Sequence, residues 1–363
     1  MPACRFLCSL LAASLLVLPA APSSPAAEDV LVSGKGVPAA DTAPAGKTRD
    51  IRIRDPFVLV YDRHYYMYGT GAAPGPGYGC YVSADLENWT GPFSVFAADA
   101  GFDGSGNFWA PECHFYQGAF YLFATYFSRT TGRRGVSVFR SGSPLGPFEE
   151  VSAGHVTPKD WDCIDGTLYI DPAGRPWMIF VHEWTSMADK NGAMAAARLT
   201  DDLTRFIGEP VELFKAKDPV WAKNGVTDGP CLYRTKTGAL LMLWSNFDSG
   251  GYCVALSSPA NGQLAGDWNH GLAPFYARGD RFAYDGGHPM LFTDLDGRLM
   301  MSIHSPNAGG EHAVFLEVID EGGTLRLKDG DKQPGLPAGL RRLRAAFTFA
   351  LSGMLERFKD VLS

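Results

Sequence analysis

A motif that recurs five times constrains the fold of this 363-residue chain more than any other feature. In each copy an acidic residue or a histidine stands beside Pro or Gly, just before an apolar run, at spacings of 53 to 63 residues. The marked positions are Asp55 in RDPFVLVY, Glu112 in APECHFY, Asp165 in IDGTLYI, Asp228 in DGPCLYR and His288 in DGGHPMLF. Such self-similarity is typical of a repeat architecture.

Each copy of the motif continues as a unit of several strands. A turn such as QGA or DLDGR is followed by a second apolar run, such as FYLFATYF, and then by a third, such as GYCVALSS. Turn residues between such runs indicate antiparallel hairpins. Five units of three or four strands predict an all-β fold, a five-bladed β-propeller, over residues 51–330.

The propeller prediction also places the functional site. The innermost strand of each blade lines the central axis, so residues at the strand starts converge on one face. We therefore expect the five marked residues to form a ring around the axis. Because carboxylates that lie close together are costly unless they are solvated, metal-bound or functional, this ring is the candidate site.

Both ends of the chain differ from the repeats. Arg5 precedes an apolar run at 7–18 and a segment rich in Ala, which predicts a secretory signal peptide over residues 1–27 and a secreted or periplasmic protein. The run is too short to predict a transmembrane span. Residues 28–50 are rich in Ala, Pro and Gly and predict a flexible leader. In the tail, 331–363, apolar residues at a three-to-four spacing predict an amphipathic helix.

Composition and short motifs exclude several other classes. The net charge is −7 and no block of like charge occurs, so the chain lacks the electrostatic pattern of a nucleic-acid-binding protein. No GxSxG, HExxH or GxxxxGK[ST] motif is present. Five cysteines follow the signal peptide with scattered spacing, and most are expected to be buried thiols rather than a disulfide framework.

Taken in order and spacing, five motifs resemble glycoside hydrolase family 43, the family of arabinanases, arabinofuranosidases and β-xylosidases. They are RDP at 54–56, WAPE at 109–112, IDG at 164–166, DGP at 228–230 and GGH at 286–288. The resemblance implies a secreted enzyme that hydrolyses O-glycosidic bonds in pentose-containing oligo- or polysaccharides with inversion. It implies that no cofactor is required for the chemistry.

The resemblance also implies catalytic roles. Asp55 would be the general base, and Asp165 would orient the general acid and raise its pKa by like-charge repulsion. The family's acid is a Glu in an EGP motif, where this chain has Asp228, whose carboxyl lies about 1.5 Å further back. Glu183, at the end of the second strand of blade three, is the alternative acid. Asp228 would then bind a sugar hydroxyl. Glu183 could also be a rim residue without a proton role.

Three further residues receive binding roles from the resemblance. Glu112 stands where the family often has Asp and is expected to shape the sugar pocket or bind a hydroxyl. Trp109 is expected to stack on a sugar ring or to be a buried core residue. His288 matches a histidine that helps to hold a structural calcium or other cation through water at the axis, although a lone histidine is as often structural.

Two alternatives remain at the level of sequence. Family 32 (invertases and fructan hydrolases) shares the fold and uses RDP and EC motifs, but there they follow an NDPNG motif in blades two and three. Here RDP lies in blade one and EC, at 112–113, in blade two, which disfavours a retaining fructosidase. A non-catalytic carbohydrate-binding propeller is the second alternative, because the DGP motif departs from the family's acid. The presence of both Asp55 and Asp165 favours hydrolysis.

Overall fold

A computed structural model describes residues 44–328 of the chain and confirms the all-β, five-bladed β-propeller. Each blade is one antiparallel sheet, and the described part contains a single short 3₁₀ turn, Thr48–Asp50. No helix among the described residues is long and apolar enough to cross a membrane. The predicted signal peptide, most of the predicted leader and the predicted C-terminal helix lie outside the described residues.

Blade one has five strands in the order β1-β5-β4-β3-β2, with β2 at the axis. Its strands are β1 (Pro44–Lys47), β2 (Arg54–Tyr61), β3 (His64–Thr70), β4 (Gly77–Ser83) and β5 (Asn88–Ala97). Strand β1 belongs to the segment predicted as a flexible leader. It is instead ordered by pairing with β5, and the adjacent Thr48 hydroxyl accepts a hydrogen bond from Trp89 Nε1 at 2.9 Å.

The next two blades have four strands each, with the first strand at the axis. Blade two contains β6 (Trp109–Tyr116), β7 (Ala119–Phe127), β8 (Arg134–Ser141) and β9 (Glu149–Glu150). Blade three contains β10 (Cys163–Ile170), β11 (Pro176–His182), β12 (Ala193–Leu199) and β13 (Phe206–Lys215). In both, a short turn joins the first two strands, as the apolar runs predict, and a longer connection, residues 183–192, joins β11 to β12.

Blades four and five repeat the same four-stranded order. Blade four contains β14 (Asp228–Arg234), β15 (Leu240–Asp248), β16 (Gly251–Pro259) and β17 (Trp268–His270). Blade five contains β18 (Gly287–Thr293), β19 (Leu299–Ser305), β20 (His312–Asp320) and β21 (Leu325–Leu327). The Ile53 amide donates to the Glu311 carbonyl at 3.2 Å, and Ser302 Oγ donates to the Pro56 carbonyl at 2.6 Å, which joins blade five to blade one and closes the ring.

All five innermost strands begin with a β-bulge, where the register with the second strand shifts. One residue of each bulge has a left-handed backbone, with φ between 41° and 57°. These equivalent positions are Asp55, Ala110, Asp165, Gly229 and His288. Bulges re-aim side chains and are common beside active sites. The predicted alignment of the repeats is therefore wrong in blades two and four, where Glu112 lies two residues after the equivalent position and Asp228 one residue before it.

The core lies between the blades, where both faces of each middle strand are apolar. Leu122, Phe139, Leu243 and Ile303 are fully buried there. The five cysteines of the described chain are all buried free thiols, which confirms the prediction that they do not form a disulfide framework.

Candidate active site

A pocket of about 410 Å³ opens on the axis, at the starts of the innermost strands. Its wall includes six of the seven predicted site residues: Asp55, Trp109, Asp165, Glu183, Asp228 and His288. Arg54, Thr70, Ile164, Trp184, Val226 and Tyr252 complete it. Glu112 is not among the lining residues. It is 3% exposed, and its Oε2 lies 3.2 Å from His114 Nε2. Its predicted contact with a sugar hydroxyl stays a prediction.

Asp55 is held on several sides. Its Oδ2 accepts a 2.6 Å hydrogen bond from Thr70 Oγ1, and its Oδ1 lies 3.2 Å from His288 Nδ1. The Asp55 backbone amide donates to His304 Nδ1 at 3.2 Å. Burial acts to raise the pKa of this carboxyl, but the charge and hydrogen bond of His288 and the contacts with His304 outweigh it. The pKa therefore lies well below its usual range, and Asp55 is ionised.

His288 supplies the positive charge at the axis. It is 4% exposed, and its Nδ1 lies between Asp55 Oδ1, at 3.2 Å, and Asp165 Oδ2, at 3.7 Å. Burial acts to lower the pKa of this imidazole, but the two carboxylates raise it to about 10. Because His288 is an imidazolium near neutral pH, it balances part of the negative charge of the pocket.

The surroundings of His288 do not form a direct cation-binding set. Among residues 44–328, no group of three or more His, Cys, Asp and Glu side chains is arranged to hold a metal. The expected calcium or other cation, held through water, stays a prediction.

Asp165 occupies the position on the bulge of blade three that Asp55 occupies on the bulge of blade one. Its backbone amide donates to Thr125 Oγ1 at 3.1 Å, and its Oδ2 accepts the Gly229 amide at 2.9 Å. Burial raises the pKa of Asp165, and although His288 lowers it, the nearby Asp228 and Asp55 carboxylates raise it further, to about 8. Asp165 therefore holds a proton more readily than an exposed carboxyl does.

Asp228 reaches the pocket from the bulge of blade four. Its Oδ2 accepts a 2.9 Å hydrogen bond from the hydroxyl of Tyr252, which lies on β16 of the same blade. Burial raises the pKa of Asp228 to about 6, with contributions from Asp55 and Glu183, against the lowering effects of Tyr252 and His288. Asp228 therefore carries a proton in mildly acidic solution, whereas Asp55 does not.

Glu183 lies at the mouth of the pocket, as expected from the antiparallel return of β11, but it is paired with a cation. Its Oε2 accepts a 2.7 Å hydrogen bond from Arg134 Nε. The same guanidinium donates to Thr185 Oγ1 at 3.1 Å and lies 3.7 Å from Asp162 Oδ2. Burial raises the pKa of Glu183 although Arg134 lowers it. The net direction is upward, so the pKa of Glu183 lies above its usual value while the ion pair with Arg134 fixes the side chain.

Trp109 also lines the pocket and is partly buried. The Arg134 guanidinium carbon lies 5.8 Å from the centre of its ring, within the range of a cation–π contact. The arginine thus links Trp109 of blade two to Glu183 of blade three. The arrangement leaves an aromatic wall beside the carboxylates, as sugar-binding pockets require.

Sequence reasoning missed Thr70, Tyr252 and Arg134. They lie on the second or third strand of their blades, where no motif distinguishes them from ordinary strand residues. The position of Thr70 follows from the blade geometry, since the second strand of a blade ends at the face where the innermost strand begins. Tyr252 and Arg134 lie at the starts of third strands, which begin at that same face, but no motif marks either residue as functional.

A five-bladed propeller whose axial pocket holds one ionised and two proton-holding carboxylates has the machinery of an enzyme that cleaves glycosidic bonds. The sequence model of "Glycosyl hydrolases family 43" matches residues 49–318. The chain belongs to this family and is a glycoside hydrolase, so its substrate is a carbohydrate.

Three relatives illustrate the similarity. The extracellular exo-α-(1→5)-L-arabinofuranosidase ArbA of Cellvibrio japonicus is 25% identical over 75% of this chain and 84% of its own length. The extracellular endo-α-(1→5)-L-arabinanase 1 of Bacillus subtilis is 26% identical over 37% of this chain and 45% of its own. A solved structure of an endo-arabinase from Bacteroides thetaiotaomicron VPI-5482 is 36% identical, covers 79% of this chain and 99% of its own, and superposes with a TM-score of 0.70.

Proposed function

We propose that the protein is secreted and hydrolyses α-(1→5)-linked L-arabinofuranosyl units of arabinan with inversion of configuration. The activities for which these relatives are named support the linkage and the sugar, because all three names refer to arabinose-containing substrates and two call the protein extracellular. The apolar N-terminal run supports secretion.

The observation that carries the proposal is the opposite protonation of carboxylates in one pocket. Asp55, with its lowered pKa, is the general base that takes a proton from the attacking water. Asp228, with its pKa near 6, is the general acid that protonates the leaving oxygen. Glycoside hydrolysis needs one carboxyl that is protonated and one that is ionised in the same pocket, and the family resemblance supports inversion as the outcome.

Asp228 is a better general acid than Glu183 on two grounds. No cationic side chain within residues 44–328 forms an ion pair with it, and a tyrosine hydroxyl fixes one of its oxygens. Glu183 instead shares the Arg134 guanidinium with Asp162 at the rim. Asp165 lies close enough to Asp228 for their charges to repel each other, so the protonation state of each carboxyl depends on that of the other. Glu183 and Arg134 then border the part of the pocket that receives the sugar on the leaving-group side.

Sugar release from debranched arabinan, arabino-oligosaccharides and xylan tests this function, with Asp55→Ala as the inactive control. We expect arabinose or short arabino-oligosaccharides from wild type, and proton NMR should detect the β-anomer first. Release only from xylan would contradict the arabinan assignment, and an α-anomer as first product would contradict inversion. Absence of release from every substrate, with arabinan still bound, would favour a carbohydrate-binding propeller.

A further inference from the structure

Tyr252 makes a single side-chain hydrogen bond, and that bond reaches the general acid. Its hydroxyl donates to Asp228 Oδ2 at 2.9 Å. Within residues 44–328 this is the one hydrogen bond that Asp228 Oδ2 accepts, and Asp228 Oδ1 accepts none. Neither the family motifs nor the sequence pattern assigns a role to this tyrosine, which lies on β16 between Gly251 and Cys253.

The tyrosine ring is fixed by its surroundings. It is 2% exposed, lies nearly parallel to the His304 ring at 5.5 Å and contacts the Phe247 ring at 5.0 Å. Gly287 passes so close that a Cβ at that position would lie 2.5 Å from Tyr252 Cε1. With so little space on either face, the ring holds its hydroxyl at one place beside Asp228.

The hydroxyl remains a donor throughout the working range of the enzyme. Burial, with the Asp228, Asp55 and Asp165 carboxylates nearby, raises the pKa of Tyr252 well above 10. A protonated phenol that donates to Oδ2 leaves Oδ1 as the oxygen on which a protonated Asp228 carries its own hydrogen.

We propose that Tyr252 is a positioning residue that fixes the Asp228 carboxyl and directs its acidic proton to Oδ1. The inference rests on the proposed role of Asp228 as general acid. It explains how a carboxyl one methylene shorter than the family's glutamate is kept in a defined orientation. An unfixed carboxyl in this place would share its proton between two oxygens and protonate the leaving group less often.

The sign of the pH effect follows from the groups that face Asp228. Tyr252 and His288 favour its ionised form, whereas Asp55, Asp165 and Glu183 disfavour it. Loss of the tyrosine hydroxyl removes one stabilising contact from the carboxylate and raises the pKa of Asp228. Since the acid works only when protonated, the activity lost with rising pH should be lost at higher pH in the variant.

The test compares Tyr252→Phe with wild type and with Tyr276→Phe. Tyr276 is a matched control, because it is also buried and its hydroxyl donates to the Tyr284 carbonyl, away from Asp228. We expect Tyr252→Phe to lower kcat/KM on arabinotriose about tenfold, and much less on a dinitrophenyl arabinofuranoside that needs no acid. The descending limb of its pH profile should move to higher pH, and that of Tyr276→Phe should not.

If Tyr252 were purely structural, Tyr252→Phe would lose equal activity on both substrates, and the descending limb of its pH profile would not move. That result would overturn the proposal. Carbon NMR of the labelled Asp228 carboxyl gives a readout that needs no turnover, and an unchanged pKa in Tyr252→Phe would also overturn it. If wild type cleaves neither arabinoside while this pKa does shift, the proposed function fails and the contact between Tyr252 and Asp228 is confirmed. The two failures are therefore distinguishable.

Discussion

Two groups of carboxylates, one inside the pocket and one that meets it at Glu183, differ in how their charge is balanced. The axial cluster consists of Asp55, Asp165, Asp228 and His288, so that one imidazolium faces three carboxyls. The rim cluster consists of Arg133, Arg134, Asp162 and Glu183, so that two guanidiniums face two carboxylates.

The difference in balance gives the two clusters different chemistry. In the rim cluster every carboxylate has an arginine partner, and the ion pairs fix the wall of the pocket. In the axial cluster the cation is shared, and burial pushes protons onto Asp165 and Asp228 while Asp55 remains ionised. We propose on this basis that proton transfer belongs to the axial cluster and sugar positioning to the rim cluster.

The largest expected effect concerns the ionised member of the axial cluster. Asp55→Asn keeps the size of the side chain but cannot accept the proton of water, so kcat/KM should fall by about 10³-fold on any arabinoside. Steady-state kinetics with an aryl arabinofuranoside measures the loss, and a thermal melt close to that of wild type is the control for folding. Retention of a tenth of the activity would place the base elsewhere.

The pH dependence tests the protonated members of the same cluster. Asp228, with a pKa of about 6, must be protonated for activity, and Asp165, at about 8, holds the neighbouring proton. We expect kcat/KM to fall as pH rises from 6 to 8, with a slope of at most about tenfold per pH unit above the pKa of Asp228. The lowered pKa of Asp55 keeps the acidic limb well below pH 4. Activity that rises between pH 6 and 8 would contradict these protonation states.

A change in the rim cluster should have a smaller effect of a different kind. Arg134→Met removes the partner of Glu183 and the cation beside Trp109, so KM should rise several-fold while kcat changes little. The free energy of unfolding should fall by about 2–3 kcal/mol, because both side chains of the ion pair are largely buried.

Arg133→Gln is the matched control for Arg134→Met. Its guanidinium also contacts Asp162, at 3.2 Å, but its side chain is 42% exposed. An exposed pair contributes at most about 1 kcal/mol, so neither KM nor the melting temperature should change much. Equal effects of the two variants, in kinetics and in denaturant unfolding, would show that the rim cluster does not act through Glu183.

The sequence predicts the architecture well because each blade repeats one local pattern. The strand runs and turns of the five units are set by residues close together in the chain, and the motif before each innermost strand marks the axis. The position of Glu183 also follows, since β11 returns antiparallel to the strand that carries Asp165.

The bulges and the side-chain partners could not be predicted in the same way. The bulge of each innermost strand places Ala110 and Gly229, rather than Glu112 and Asp228, at the positions equivalent to Asp55, and the acidic residues of the motifs do not mark those positions in blades two and four. Arg134 reaches Glu183 from the neighbouring blade, across 49 residues of sequence. Contacts of this kind depend on how blades pack and leave no periodic trace in the chain.

The division of roles between the two clusters is tested most directly by the dependence of rate on the leaving group. Asp228→Asn and Glu183→Gln should be compared on arabinotriose, whose leaving oxygen needs a proton, and on a dinitrophenyl arabinofuranoside, whose leaving oxygen does not. We predict that Asp228→Asn loses 10²-fold or more on arabinotriose and little on the aryl substrate, whereas Glu183→Gln loses similar, small factors on both. A selective loss on arabinotriose in Glu183→Gln, with Asp228→Asn unaffected, would contradict the account and place the general acid at the rim.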